Sequence, residues 1–528
     1  MTIPTQRIIK ELSRPEAYPH PVDKVEVIQT HISVVFLAGD LVYKVKKPLN
    51  LGFLDFTTLE KRHHYCLEEL RLNRRLSPDI YLYVVPVVDG PNGLRFGVTG
   101  DSVEISPVEY AVVMKRLDES RFLSALLTGG TVDRAAMRSI AERIADFHLQ
   151  AETSAEITRV GGIEAVILNT EEDFQQVQPY VGETLSIETY ETIALYTRTF
   201  IEVNRDLFAR REAGGWIRDG HGDLHTQHIC MADGFQIFDC IEFNERFRYG
   251  DVLADAAFLA MDLERLGYRD LAQTYTDSYL ELMELGDFSA LFNFYACYRA
   301  VVRGKVEGFR SRDPNVLPAE ANLARENARN FFSLAEKYAR TPVPPVLITG
   351  CGLMGSGKST LAKALESRLD IVILSSDSIR KELAGIDPTS SRHVPFGSDI
   401  YSEEFSIRTY SQLHKRATTH LKGGQSVFLD GSYMNPDLRE QALEAARKAD
   451  AGFLLLHLDP GEEELRNRLR KRMKGPDAVS DGREEILGDQ IAAFSPPAEV
   501  PHELKLTFHG SQSLDDLARE TYRRLLAG

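Results

Sequence analysis

Hydrophobic and polar positions divide the 528-residue chain into a first part whose period changes repeatedly and a last part where apolar strands alternate with amphipathic helices. Thr5 to Pro15 has helical spacing. From Val25 the pattern is extended, in the runs VEVIQT, HISVVFLAG and DLVYKVKKP, with a hairpin predicted at Ala38-Gly39-Asp40. In the third run Val42, Lys44 and Lys46 share one strand face, and Tyr43 and Val45 share the other. A lysine inside a strand reads equally well as a solvated edge position. A helix over roughly Thr58 to Leu76 follows, with Glu68 and Glu69 among arginines, then strands at Tyr81 to Val88 and Glu109 to Met114. Together these predict a small α+β lobe. From Asp133 the spacing is helical, and helices dominate to Leu207.

Gly220 to Phe243, GHGDLHTQHICMADGFQIFDCIEF, interrupts that pattern. Asp223 lies between His221 and His225 in a short polar run. A hairpin of His228 to Met231 with Gln236 to Phe238 then delivers Asp239 and Glu242. Two acidic sites about sixteen residues apart, each beside an apolar strand, suit phosphoryl transfer. One carboxylate accepts a substrate hydroxyl proton and the other holds Mg²⁺. Asp251 and Asp255 read as structural, a helix cap and a polar network. Pro318 to Arg340 reads as one long helix, stopped by Thr341-Pro342-Val343-Pro344-Pro345. A stiff connector at 341–345 is therefore the expected boundary between residues 1–340 and 346–528.

The stretch after that connector carries the most specific signal. Val346 to Thr349 reads as a buried strand, Gly352 to Ser359 matches G-x-x-x-x-G-K-[ST], and Ser359 to Asp370 has helical spacing. Glycines let backbone N–H groups turn inward around a phosphate at a helix N-terminus. Gly352, Gly355, Ser356, Gly357, Lys358, Ser359 and Thr360 are the candidate nucleotide cradle, with Lys358 reaching the β- and γ-phosphates and Ser359 holding Mg²⁺. A second strand, Ile371 to Leu374, leads into Asp377 and Arg380, which can orient a substrate hydroxyl and its neighbouring anion. Gln425 to Leu429 ends at Asp430, a candidate for an outer contact at the magnesium site or for a substrate contact. Ala451 to Leu458 and Leu504 to Phe508 complete a predicted doubly wound parallel sheet. The basic helix ELRNRLRKRMK offers Arg468 and Arg472 as lid arginines over a transferred phosphoryl group.

The net charge of −16 falls mostly on the first 343 residues, about −13 by count. That argues against a general nucleic-acid surface, which needs a basic footprint. Five scattered cysteines with no C-x-x-C pair indicate neither a disulfide framework nor a zinc site. No apolar leader or membrane-length run occurs, so a cytoplasmic location without membrane attachment is the expectation.

Three resemblances bear on these residues. His221-Gly222-Asp223-Leu224-His225 with Ile237-Phe238-Asp239 resembles the catalytic core of the aminoglycoside phosphotransferase-like kinases, over about residues 1 to 335. The N-terminal text resembles the first half of a bacterial family that fuses such a domain to a P-loop kinase. The resemblance implies a bilobal protein-kinase-like fold, with an N-lobe to about residue 115 and a helical C-lobe over 116–340. It further implies Asp223 as base, Asp239 as magnesium ligand, Lys44 (fallback Lys46) on the α/β-phosphates, Glu69 (fallback Glu68) as its partner, and Met114 in the adenine hinge. The family's asparagine five residues after the base is His228 here, an imidazole that can still take a divalent metal. The C-terminal half resembles small P-loop kinases with an S-D-x-x-R motif, including gluconate, adenylylsulfate, zeta-toxin-like and polynucleotide 5′-kinases.

The resulting expectation is a tandem kinase using ATP and Mg²⁺ in each half to phosphorylate hydroxyls of small molecules. The rivals are a polynucleotide 5′-hydroxyl kinase in the C-terminal half, the one place where nucleic acid enters, and an ATP-sensing regulatory module in the N-terminal half.

Overall fold

The extended runs after Val25 form a six-stranded antiparallel sheet in the computed structural model, which describes residues 3–97, 106–232, 234–284, 288–314, 316–387, 399–473, 484–510 and 512–527. Its strands are β1 (Val25–Gln29), β2 (Ser33–Ala38), β3 (Leu41–Lys46), β4 (Tyr81–Gly90), β5 (Gly93–Phe96) and β6 (Glu109–Lys115), in the order β1-β2-β3-β6-β4-β5. β5 has no counterpart in the sequence reading, being only four residues long.

β3 lies between β2 and β6, so its lysines are not on a solvated edge. The two-residue period sends Tyr43 and Val45 into an apolar cluster with Phe36, Val87, Phe96 and Val113. Lys44 and Lys46 consequently project from the opposite face, where the helix Leu59–Asn73 brings Cys66 and Glu69. That helix is capped by the Thr58 hydroxyl, which accepts from the Lys61 N–H.

Helices follow, including Arg134–Gln150 and Val252–Arg265. Between them, β7 (Ile217–Asp219) pairs with β10 (Tyr249–Asp251), and β8 (Ile229–Cys230) pairs with β9 (Gln236–Ile237). Asp251 caps the helix Val252–Arg265 through the Leu253 N–H and takes both ends of the Arg211 guanidinium.

The C-terminal sheet has five parallel strands: β11 (Val346–Cys351), β12 (Ile371–Ser375), β13 (Ser426–Asp430), β14 (Gly452–Asp459) and β15 (Lys505–His509). Their order is β12-β13-β11-β14-β15. β11 is buried throughout because helices cover both faces. Leu347, Val427, Leu429 and Leu455 pack with helices Glu403–Lys422 and Pro436–Arg447 on one side. Ile348, Phe428, Leu454 and Leu456 pack with Leu361, Leu365 and Tyr522 on the other.

The chain divides into two compact units. The first comprises residues 1–178, 205–287 and 298–306, and the second comprises 179–204, 288–297 and 307–528. The second therefore gathers the helices Ile187–Val203 and Pro318–Arg340 with the parallel sheet. Among the described residues no helix is long and apolar enough to cross a membrane.

Candidate active sites

In the first unit, β3, the helix Leu59–Asn73 and the segment after β9 converge on a set of charges. Lys44 Nζ lies 2.8 Å from Glu69 Oε1 and 2.7 Å from Asp239 Oδ1. Lys46 Nζ lies 2.7 Å from Glu69 Oε2 and also pairs with Glu242. Glu69 therefore bridges both lysines, whereas Glu68 pairs with Arg71 at the surface. Burial alone would lower both ammonium pKa values. For Lys44, Asp239 and Glu69 outweigh it, and for Lys46, Glu242 and Glu69 do, so both are raised. Burial, opposed by Lys46 and helped by Glu69, pushes the Glu242 carboxyl up.

Asp239 adopts a left-handed backbone, φ 63°, a conformation a non-glycine residue holds only when its surroundings fix it. Its N–H donates to the Tyr81 hydroxyl at 3.2 Å, and the next N–H, of Cys240, donates to Asn73 Oδ1 at 2.9 Å. From this backbone the Asp239 carboxylate reaches Lys44.

The polar run preceding β8 is held from beneath. Asp255 accepts the N–H of His221 at 2.6 Å and of Gly222 at 2.9 Å. Gly222 has φ +85°, and a Cβ there would meet the Phe247 carbonyl oxygen at 2.8 Å, so only glycine fits. The buried His221 ring accepts from the Asp223 N–H through Nδ1 and donates to the Phe238 carbonyl through Nε2. Both nitrogens are used by the neutral ring, and burial, against the pull of Asp255, lowers its pKa to about 4.

Asp223 emerges from this loop with its Oδ2 3.5 Å from His225 Nε2 and 3.6 Å from His228 Nδ1. Burial opposes its ionisation, but His225, His228 and Arg303 outweigh it and hold the carboxyl well below the usual range. His228 Nε2 in turn lies 3.6 Å from Asp239 Oδ2. The structure thus brings together Lys44, Glu69, Asp223, His228 and Asp239. Met114 sits half-buried on β6 opposite Val42, in the cluster containing Tyr81 and Phe238. His225 and Glu242 are not among the site residues that the sequence alone assigns a role. The H-G-D-L-H spacing was the only signal for the former.

In the second unit, the loop between β11 and the helix Lys358–Glu366 turns on glycines at positive φ: Gly352, Gly355 and Gly357. A Cβ on Gly352 would lie 2.5 Å from the Leu458 carbonyl oxygen, so the loop packs against β14 only with glycine there. Lys358 curls over this loop, donating to the carbonyls of Gly352 and Leu353 at 2.9 Å each and to Ser356 Oγ at 3.2 Å. Burial lowers its pKa, with Asp430 opposing. Asp430 ends β13, in register with Gly350 of β11 and Ser375 of β12. A cleft of about 780 Å³ opens over the loop and is lined by Gly355 to Thr360, Asp459 and Arg468. Arg468 reaches the loop from the helix Glu462–Met473, donating to the Ser356 carbonyl at 3.2 Å while paired with Glu464. The side chain of Arg472 lies outside the described residues.

Asp377 opens the helix Ser376–Leu383 after β12, and its cation is Lys381, 2.9 Å away and one helical turn on. Arg380 turns inward instead. It donates to the Ile400 carbonyl at 2.6 Å and Ser406 Oγ at 3.1 Å and lies over the Tyr401 ring. The Tyr401 hydroxyl donates to Asp377 at 3.2 Å. Helical i,i+4 spacing was the available signal for Lys381.

Residues 347–497 match the family model described as an AAA domain. Rv2004c, an uncharacterized protein of Mycobacterium tuberculosis, is 31% identical over 473 residues, covering 88% of this chain and 90% of that protein. Among solved structures, a choline/ethanolamine kinase family protein from Mesorhizobium loti aligns with 64% of this chain and 98% of its own at 12% identity and TM-score 0.36. The adenylylsulfate (APS) kinase CysC of Mycobacterium tuberculosis aligns with 35% of this chain and 99% of its own at 21% identity and TM-score 0.27.

Proposed function

The chain belongs to the family of Rv2004c, a match too long for either unit alone to carry, and on that premise we propose a bifunctional ATP-dependent phosphotransferase whose two units each phosphorylate a hydroxyl of a small molecule. The observation that carries the reading is Lys44, clasped between Glu69 and Asp239 with Asp223 one imidazole away. It is supported by the glycine cradle around Lys358 in the second unit.

In the first unit Lys44 is placed to exchange Asp239 for nucleotide phosphates while Glu69 keeps its ammonium in position. Asp223 is ionised and half-sheltered, so it can orient an acceptor hydroxyl and take its proton as the oxygen attacks the γ-phosphorus. The new O–P bond forms as the bridge to the β-phosphate breaks and ADP leaves. Most of the catalysis is positioning and charge neutralisation. The donors present fit a divalent ion: His228 Nε2 with Asp239 in the first unit, the Ser359 hydroxyl with Asp430 in the second. When bound, such an ion neutralises β- and γ-phosphate charge.

In the second unit Lys358 would leave the loop carbonyls for the phosphates, Arg468 would close on the transferred group, and Asp377 would act as base with Lys381 holding its carboxylate. Arg380, buried and bonded to Ile400 and Ser406, instead supports the Asp377 region through Tyr401.

Titration of the full chain with a non-hydrolysable ATP analogue tests this. Two binding events are expected, one lost in Lys44→Met and the other in Lys358→Ala. A single event, or two that survive both substitutions, would contradict it.

A further inference from the structure

His228 raises a question of metal choice, resting on the proposal that the first unit binds a nucleotide. Its Nδ1 is 2.9 Å from the Asp223 backbone carbonyl. A carbonyl only accepts, so Nδ1 carries the hydrogen. Nε2 is the ring atom left to take an ion, and it lies 3.6 Å from Asp239 Oδ2. The ring nitrogen and the carboxylate oxygen lie at a distance that a shared cation would bridge. The hydrogen bond from the other ring nitrogen to a backbone carbonyl is the support a metal-bound histidine ordinarily has. His225 packs against the same ring at 4.0 Å between centroids, the two planes tilted by 34°.

The pair is reachable from solvent while its histidine neighbours are not. The His228 side chain is 15% exposed and that of Asp239 is 43% exposed, while His225 and His221 are buried. His225 Nδ1 accepts from the Gln227 N–H, so its Nε2 carries hydrogen and faces Asp223. His225 thus orients the base and leaves ion binding to His228.

We infer that the first unit's ion is held by His228 Nε2 and Asp239 Oδ2, and that this nitrogen–oxygen pair selects a divalent first-row transition ion over Mg²⁺. Mg²⁺ demands oxygen donors in near-octahedral array, whereas imidazole suits the borderline transition ions. The second unit, with Ser359 and Asp430, offers oxygen alone and is indifferent to this preference. One chain would then hold two nucleotide sites of different metal appetite.

The test uses the full-length chain carrying Lys358→Ala, so that nucleotide binding reports the first unit, with a non-hydrolysable ATP analogue and Mn²⁺ as the probe. Electron spin-echo modulation is expected to show a directly bound nitrogen. In uniformly ¹⁵N-labelled protein with unlabelled nucleotide, that signal should change to ¹⁵N, which assigns it to the protein rather than to adenine. His228→Asn should abolish it, and the Mn²⁺-over-Mg²⁺ binding ratio should fall at least about tenfold. Mn²⁺ bound with no protein nitrogen, or an unchanged ratio in a His228→Asn variant of unaltered melting temperature, would overturn the inference while leaving the nucleotide site standing. Analogue that fails to bind at all would overturn the kinase reading and this inference with it.

Discussion

The Lys44 ammonium lies 2.7 Å from the Asp239 carboxylate, although the two residues are 195 positions apart in the chain. One belongs to a strand and the other to a strained residue after a hairpin, and Glu69 holds the lysine from the far side. A contact of this kind is available for exchange, because Asp239 is partly exposed while Glu69 is buried.

Lys44 and Lys46 are two positions apart on one face of β3 and should fail differently. Lys44→Met is expected to remove first-unit nucleotide binding with a small change in stability. Lys46 is fully buried between Glu69 and Glu242, and Lys46→Met leaves the buried Glu242 without its cation while Glu69 keeps Lys44. Removing one partner of a buried pair costs about 3–5 kcal/mol. Denaturant unfolding of the two variants checks this. Equal destabilisation would contradict the division of roles.

Asp223→Asn keeps the size and the loop but loses the proton acceptor. First-unit transfer is expected to fall by about 10²–10⁴ with nucleotide affinity retained. Calorimetric titration beside a transfer assay separates the two. Full activity in this variant would show that Asp223 is no base.

Acid should destabilise the first unit. Burial, reinforced by His228 in the case of His225, lowers His221 and His225 to about 4, against an ordinary histidine value of about 6.5. Between those values the unfolded chain binds protons that the folded unit does not, so stability drops as pH falls from about 6.5 toward 4. Asp223, Asp239 and Asp255 are depressed despite burial, and their contribution is present above about pH 4 and lost below it. Unfolding midpoints at stepped pH should decline throughout. A flat profile between pH 6.5 and 5 would contradict the neutral, buried assignment of the histidines.

Gly352→Ala places a methyl group 2.5 Å from the Leu458 carbonyl at a φ of +141°. Second-unit nucleotide binding should be lost with the first unit unaffected, which site-by-site titration reads directly. Wild-type binding would mean that the loop does not need its contact with β14.

The parts of these sites that lie close together in sequence were legible there. The Gly352 to Ser359 loop and the Asp223 run carry their geometry in residue order. Lys44 and Glu69 needed the family resemblance, since strand alternation placed Lys44 and Lys46 on one face and could not rank them. The pairing of Lys46 with Glu242 spans 196 residues and depends on how a hairpin packs beneath a sheet. Arg380 shows the opposite difficulty. Motif spacing put it beside Asp377, yet the helix Ser376–Leu383 rotates Lys381 onto that carboxylate and buries Arg380 against Ile400 and Ser406. A one-residue difference on a helix is about 100° of rotation, more than a motif alone specifies.

Transfer of labelled γ-phosphate from ATP into a pooled set of sugars, nucleosides, amino alcohols and 5′-hydroxyl oligonucleotides, run with wild type, Asp223→Asn and Lys358→Ala, tests two independent phosphotransferases most directly. The expected result is two labelled small-molecule products, one lost only in Asp223→Asn and the other only in Lys358→Ala. Absence of any labelled product while both units bind ATP, or loss of every product in either variant, would contradict it.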